Sequence, residues 1–286
     1  MAFEHFIPTV WSEGINRDLA PRCVFAEDCN REYEGEAKQK GDTVRILGIG
    51  SPTIREMARK DANGNIEDPE ELEDSSISLV MDQIRYYNYM VGDIDAYQAK
   101  GNIMQALSSE TSEKLAASMD QYIAKFAIDS SVTKMFGKAP VKVVKSDNPL
   151  EGEKYVLDIL DDAIQMMQER NITSELVLTA SPHFIKLLRQ AYIIRDTDNS
   201  LMLKNGKVGT YGNVTLKISN HVTRTNEGAV DNIMLRTKRA IAFAHPFTKV
   251  KAYEPEKKFA DAIKGFILFG GKIVRPKEIL NINVTY

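Results

Sequence analysis

Between residues 103 and 129 apolar side chains recur at helical spacing. Leu115, Met119, Tyr122, Ile123 and Phe126 share one stripe, and Glu110, Glu113, Lys114, Gln121 and Lys125 lie opposite. Ala116, Ala117, Ala124 and Ala127 add helix propensity and permit close packing. The pattern predicts a helix of about 27 residues, ~40 Å long, a strut for whatever surrounds it. Two shorter helices follow. Val156, Leu160, Ala163, Ile164 and Met167 face one way on the first; Phe184, Ile185, Leu188, Ala191 and Tyr192 do so on the second. Ser181-Pro182 marks the start of the second, a capping hydroxyl and then a first-turn proline. Residues 9–33 read as a broken helix: Trp11, Ile15 and Leu19 share a face, Pro21 ends it, and Val24, Phe25 and Cys29 open a second piece.

A period of two governs residues 41–92. Val44, Ile46 and Ile49 begin one strand; Ile77, Leu79 and Met81, then Arg85, Tyr87, Tyr89 and Val91, alternate along its return. Between them Asp61-Ala-Asn-Gly-Asn65 signals a turn. Glu67, Asp68, Glu70, Glu71, Glu73 and Asp74 follow, six acids in eight residues, self-repelling unless they meet positive charge. A strand over 76–91 would reach roughly 50 Å at ~3.3 Å per residue. A compact chain of this length has a radius of gyration of about 19 Å. The hairpin is therefore expected to project, and an isolated hairpin is marginal at best. Its aromatic face needs a surface, and another copy is the nearest. Further strands are expected at 175–179, 214–218, 232–235, 240–244, from Val250, from Phe259 and at 279–284, with breaks at Glu254-Pro255-Glu256, Gly270-Gly271 and Pro276. Residues 137–152 read as a boundary, and 195–212 as a polar loop.

Composition narrows the function. The 286 residues are 43% hydrophobic and 27% charged, enough for one or two domains with a sizeable core. Lys plus Arg is 37 against 40 Asp plus Glu, a net charge of -3 that argues against a general nucleic-acid binder. No apolar run approaches the ~20 residues of a membrane span. Glu4, His5 and Pro8 do not suit a signal peptide. Cys23 and Cys29 form neither a disulfide framework nor a zinc pattern, and read as buried, inert thiols. Gly48-Ile49-Gly50 lacks the third glycine of a dinucleotide loop, and a proline follows where its helix should begin. Gly137-Lys138 and Gly271-Lys272 lack the following Ser or Thr of a phosphate loop. His5, His183, His221 and His245 have no metal-site spacing, and no Gly-x-Ser-x-Gly occurs. No catalytic residue, metal ligand or cofactor is assigned. The acidic run lacks a calcium-loop pattern, but Lys249, Lys251, Lys257, Lys258 and Lys264 form a basic cluster of matching charge.

Asn30-Arg-Glu-Tyr-Glu-Gly-Glu36, then Gly41-Asp-Thr-Val-Arg-Ile46 and Ile49-Gly50, resembles the N-terminal arm and first extended-loop strand of tailed-phage major capsid proteins. Asp82-Gln-Ile-Arg-Tyr-Tyr-Asn-Tyr-Met-Val-Gly-Asp-Ile-Asp95 resembles the returning strand and its entry to the spine helix. Arg239-Ala-Ile-Ala-Phe-Ala244, Lys249-Val-Lys-Ala-Tyr-Glu-Pro-Glu256 and Phe259-Ala-Asp-Ala-Ile-Lys-Gly265 are similar to the family's closing strands. Together these segments cover well over half the chain, in the family's order.

The resemblance implies an α+β fold of the Hong-Kong-ninety-seven type. Its parts would be an N-terminal arm (1–40), an extended β-hairpin loop (41–92), a peripheral domain with a long spine helix (93–150 and 245–286) and an axial domain (151–244). It implies a structural protein with no enzymatic role. Hexamers and pentamers of the chain would build an icosahedral virion shell in the bacterial cytoplasm, around double-stranded DNA held without sequence-specific contacts. A portal protein is an expected partner. No long segment precedes the arm, so a separate scaffolding protein is expected too. The expected inter-subunit residues are Trp11, the acids Glu67, Asp68, Glu70, Glu71, Glu73 and Asp74, the tyrosines Tyr87 and Tyr89, and Lys249, Lys251, Lys257 and Lys258. Some relatives crosslink a loop lysine to a neighbour's asparagine; Lys60 and Asn281 or Asn283 occupy such places, with no activating carboxylate marked nearby. Two other readings stand beside this one. An encapsulin-like compartment has the same fold and differs in its neighbouring genes. An unrecognised soluble α/β enzyme predicts a compact monomer or small oligomer with a polar pocket.

Overall fold

A computed structural model describes residues 23–32, 43–49, 74–92, 103–195, 207–253, 255 and 260–286. The alternating segment forms β1 (Thr43–Ile49), β2 (Asp74–Val80) and β3 (Gln83–Gly92). β1 and β2 pair antiparallel without interruption, from Thr43 opposite Val80 to Ile49 opposite Asp74. The single returning strand expected from the sequence is in fact two. Met81 is buried in a small cluster with Val44, Ile46, Leu79, Ala242, Ala244 and Leu268. That anchor turns the chain into the body, and β3 takes a different partner.

The long apolar stripe forms α1 (Ile103–Ala124), which tightens into a 3-10 turn over Lys125–Ile128. Leu115, Met119 and Ile123 are buried as expected, and Tyr122 and Phe126 half-buried. Three short strands follow, β4 (Thr133–Lys134), β5 (Val141–Val144) and β6 (Glu153–Tyr155). Then come α2 (Val156–Glu169), β7 (Leu176–Ala180) and α3 (Pro182–Arg195). Ser181 caps α3 as expected, its Oγ accepting the Phe184 amide at 3.4 Å. The remaining strands are β8 (Lys207–Tyr211), β9 (Val214–Ile218), β10 (Thr223–Thr225), β11 (Val230–Thr237), β12 (Ile241–Tyr253), β13 (Ala260–Ile273) and β14 (Ile279–Thr285).

Two larger sheets organise the chain. One has nine strands in the order β6-β5-β14-β11-β7-β9-β8, with β10 beside β11 and β4 beside β14. α2 and α3 bury their apolar faces with it, and β7, flanked on both edges, is buried along its whole length. The other has the order β12-β13-β3, and α1 shares a core with it through Met119, Ile123, Ile263, Ile267 and Phe269. β14 joins the first sheet, so the stretch 245–286 serves both.

Two expected strand ends turn out otherwise. Residues 240–244 and the run from Val250 belong to one strand, β12, with a register shift between Ala244 and Phe247. Pro246 sits in that shift, where a missing amide donor is tolerated. Gly270-Gly271 does not end β13 but lies inside it. A Cβ on Gly270 would stand 2.3 Å from the Val80 carbonyl oxygen, and one on Gly271 3.2 Å from the rings of Tyr122 and Phe126. These glycines admit close neighbours; they do not turn the chain.

Residues 23–30 are fastened at four points around a 3-10 turn, Ala26–Asp28. The Asp120 carboxylate on α1 accepts the amides of Val24, Phe25 and Ala26 at 2.8, 2.9 and 3.1 Å. Burial pushes that carboxyl upward, and the three amides pull it back. Arg236 of β11, fully buried, donates to the carbonyls of Phe25 at 2.7 Å and Asp28 at 2.6 Å. Lys217 of β9 pairs with Glu27 and Asp28, each at 2.7 Å. Asn30 bridges to β12, donating to the Ile241 carbonyl and accepting from the Phe243 amide, both at 2.9 Å. Replacing Arg236 by Ala orphans two buried carbonyls and is expected to destabilise the fold by ~3 kcal/mol. Arg236→Lys should recover only part, because an ammonium lacks the planar fork. Urea denaturation measures both; a loss below about 0.5 kcal/mol for the alanine variant would contradict the assignment.

Candidate assembly interface

The β12-β13-β3 sheet has two unlike faces. Tyr87 and Tyr89 of β3 point to the core shared with α1 and stack with ring centroids 5.9 Å apart. Tyr87 crosses Gly265, where a Cβ would lie 2.4 Å from its hydroxyl oxygen, so only glycine leaves the ring its place. Burial pushes both phenols above their ordinary range. These two tyrosines, expected between subunits, pack inside their own chain. The residues that stand outward are Tyr86, 82% exposed, and Met90, 49% exposed, with Asn88 between them.

On that outward face the register sets rows across the strands. Asn88 is opposite Lys264, and Lys264 opposite Lys251; Tyr86 is opposite Phe266, and Phe266 opposite Lys249. A shallow cavity of ≈ 390 Å³ lies among them. The Lys264 ammonium sits 4.5 Å above the ring of Tyr253, a favourable placement for a cation on a π face. Against the other face of β3, a groove of ≈ 460 Å³ runs between Arg85–Tyr89 and the α1 residues Leu107, Thr111, Lys114 and Ser118. Among the described residues β3 is paired along one edge, to β13.

Of the other expected contact residues, Lys249 and Lys251 are exposed on this face, and Asp74 opens β2 opposite Ile49. Trp11, Glu67, Asp68, Glu70, Glu71, Glu73, Lys257 and Lys258 lie outside the described residues, as does Lys60. Asn281 and Asn283 are buried, and their amides serve the fold. Asn281 donates to Asn232 at 3.1 Å; Asn283 accepts from the Phe136 amide at 3.2 Å and donates to the Gly137 carbonyl at 3.4 Å.

Among the described residues no group of three His, Cys, Asp or Glu gathers to hold a metal ion. His183 stacks on Tyr286 at 4.0 Å, His221 meets Gln121 at 3.4 Å, and His245 meets Arg31 at 2.6 Å. No described helix is long and apolar enough to cross a membrane. Sequence reasoning missed Asp120 and Arg236. The available signal was a lone arginine inside the run Ile233-Met-Leu-Arg-Thr237, where a charge must find partners to be buried.

The architecture is that of phage capsid structures, the α+β Hong-Kong-ninety-seven-type fold that the resemblance implied. A structure from Mycobacterium phage Che8 matches with a TM-score of 0.71 at 25% identity, over 91% of this chain and 90% of that one. The capsid structure of the cyanophage P-SCSP1u matches with 0.68 at 14% identity, over 91% and 87%. A virus-like particle from Pyrococcus furiosus matches with 0.57 at 12% identity, over 99% and 100%. No protein-family model and no curated protein sequence matches the chain.

Cys23 and Cys29 are both free and buried, and burial, with Asp120 nearby, pushes the Cys23 thiol up to about 12. A thiol reagent at neutral pH is expected to leave both unmodified in the folded subunit and to label both after denaturation. Rapid labelling of the folded protein, read by intact mass, would contradict that burial.

Proposed function

We propose that this chain is the major capsid protein of a tailed phage, assembling as hexamers and pentamers into an icosahedral head around double-stranded DNA. The observation that carries the reading is the match to a mycobacteriophage structure at 25% identity over nine-tenths of both chains. The exposed aromatic and basic face of the three-stranded sheet supports it, because such a face leaves favourable contacts to be made by another copy.

In this reading the body around α1 and β12-β13-β3 is the peripheral domain, and the helices and strands within 151–244 form the axial domain. The arm (Trp11 included) and the β1-β2 hairpin reach across neighbours. Each contact is modest, and many act together. The net charge of -3 suits a subunit that encloses DNA without neutralising it, with a portal and a separate scaffolding protein as partners and no cofactor.

A compartment shell that holds a cargo enzyme is the second reading, favoured by the virus-like particle match over nearly the whole of both chains. Genes beside this one decide between them: terminase, portal and scaffold for a phage, a cargo enzyme for a compartment. The experiment that tests shell formation is negative-stain microscopy with sedimentation of the purified protein, alone and co-expressed with its scaffold. Large closed particles are expected; a monomer or small oligomer under both conditions would overturn the proposal. Replacing residues 52–71 with a short Gly-Ser turn is expected to leave the melting temperature within a few degrees of the parent and to abolish stable shells. Normal particles from that variant would show that the hairpin tip is dispensable.

A further inference from the structure

Like charges directly opposite on paired strands repel, and this chain places Lys251 opposite Lys264, with Lys249 two residues along the same face. All three are exposed. Among the described residues none of them has a carboxylate within ion-pair distance. The lysines line a cavity of ≈ 390 Å³ together with Tyr86, Tyr87, Asn88, Gly265 and Phe266. Uncompensated positive charge gathered round aromatic surface suits a ligand that is anionic and partly apolar.

The chain carries such a segment. Residues 67–74 hold six acids with Leu72 among them, and Ile66 precedes them. The spacing also fits. Lys249 and Lys251 share a strand face at an interval of two residues, about 6.6 Å. In an extended segment Glu71 and Glu73, or Asp68 and Glu70, recur at the same interval. We propose that the lysine face of one copy, formed by Lys249, Lys251 and Lys264 around Tyr86 and Phe266, binds the acidic segment 67–74 of a second copy. This rests on the shell reading and names the partner of that face. Duplex DNA is the competing polyanion; the net charge of -3 and the aromatic walls favour the peptide.

The test uses the full chain and a charge swap. One variant carries Lys249→Glu, Lys251→Glu and Lys264→Glu; a second carries Glu70→Lys, Glu71→Lys and Glu73→Lys; a third combines both sets. Wild type should assemble, each single set should lose most particles, and the combined set should recover them. Failure of wild type to assemble under any condition strikes the shell reading itself. Wild-type shells with unchanged assembly in both single sets would overturn the docking alone. A labelled peptide of residues 65–76 is also titrated into the wild-type subunit by fluorescence anisotropy, so that the outcome does not depend on a variant folding. Saturable binding is expected, weakened roughly tenfold or more by the lysine reversals and by raising salt from about 0.05 to 0.5 M. No saturable peptide binding, or a face that takes only a duplex oligonucleotide, would overturn the proposal.

Discussion

A buried guanidinium organises this fold. Arg236 stands inside a strand with no exposed surface, a placement that carries a heavy desolvation penalty unless its donors are used. Its partners are the carbonyls of Phe25 and Asp28, which leave a turn whose amides are held at the other end by Asp120. An acid at the amide end and a base at the carbonyl end match the polarity of even a single helical turn. The turn thereby becomes the meeting point of α1, β9, β11 and β12, elements drawn from both large sheets. Remove the guanidinium and the relation between the sheets loses a polar clamp that apolar contacts alone do not orient.

With the two sheets held, β13 sets where other parts lie, and it does so by omission. Three of its residues are glycines, and each absent side chain is filled by something else. Gly265 lies under the ring of Tyr87, Gly270 under the backbone at Val80, and Gly271 beside Tyr122 and Phe126. The hairpin root therefore rests on backbone, with Met81 and Leu79 packed against Ala242 and Ala244 as anchors. Small residues on β12 and β13 act as a seat that fixes where the hairpin leaves the body. Any surface the hairpin reaches is reached from that fixed point.

What was legible in the sequence follows the range of the interactions. α1 and the start of α3 could be read because their signals lie within one helix: a stripe at a spacing of three or four, and a serine before a proline. The break at Met81-Asp82 could not, because the alternation runs through it undisturbed and only contact with residues some 160 positions away turns the chain. The place of Gly270-Gly271 inside β13 is not legible for a related reason. Glycine marks both turns and close approaches, and the neighbours that distinguish them come from β2 and α1. The partners of Asp120 and Arg236 lie on a turn nearly a hundred residues or more away, so no local pattern names them. On the outward face the lysines are legible as a cluster, while the alternation that marks Tyr87 and Tyr89 leaves open whether they or Tyr86 and Met90 face the core.

That ambiguity bears on assembly. Among the described residues β3 ends its sheet, and with ten uninterrupted pairs to β13, without proline or bulge, it is an unusually regular strand for that place. In a solitary protein such an edge invites unwanted strand pairing and is normally blunted by charge, distortion or cover. Here Arg85 is the only lysine or arginine on β3, and the described residues that line the groove beside it come from β3 and α1. On the outward face Lys251 stands opposite Lys264, a like-charge pair without a carboxylate partner among the described residues. In the proposed shell both features would become favourable contacts with another copy. The division of labour is thus physical: the Arg236 clamp and the two cores hold the fold, and among the described residues the outward face of β12-β13-β3 keeps aromatic and basic side chains exposed, the surface on which the proposed assembly relies.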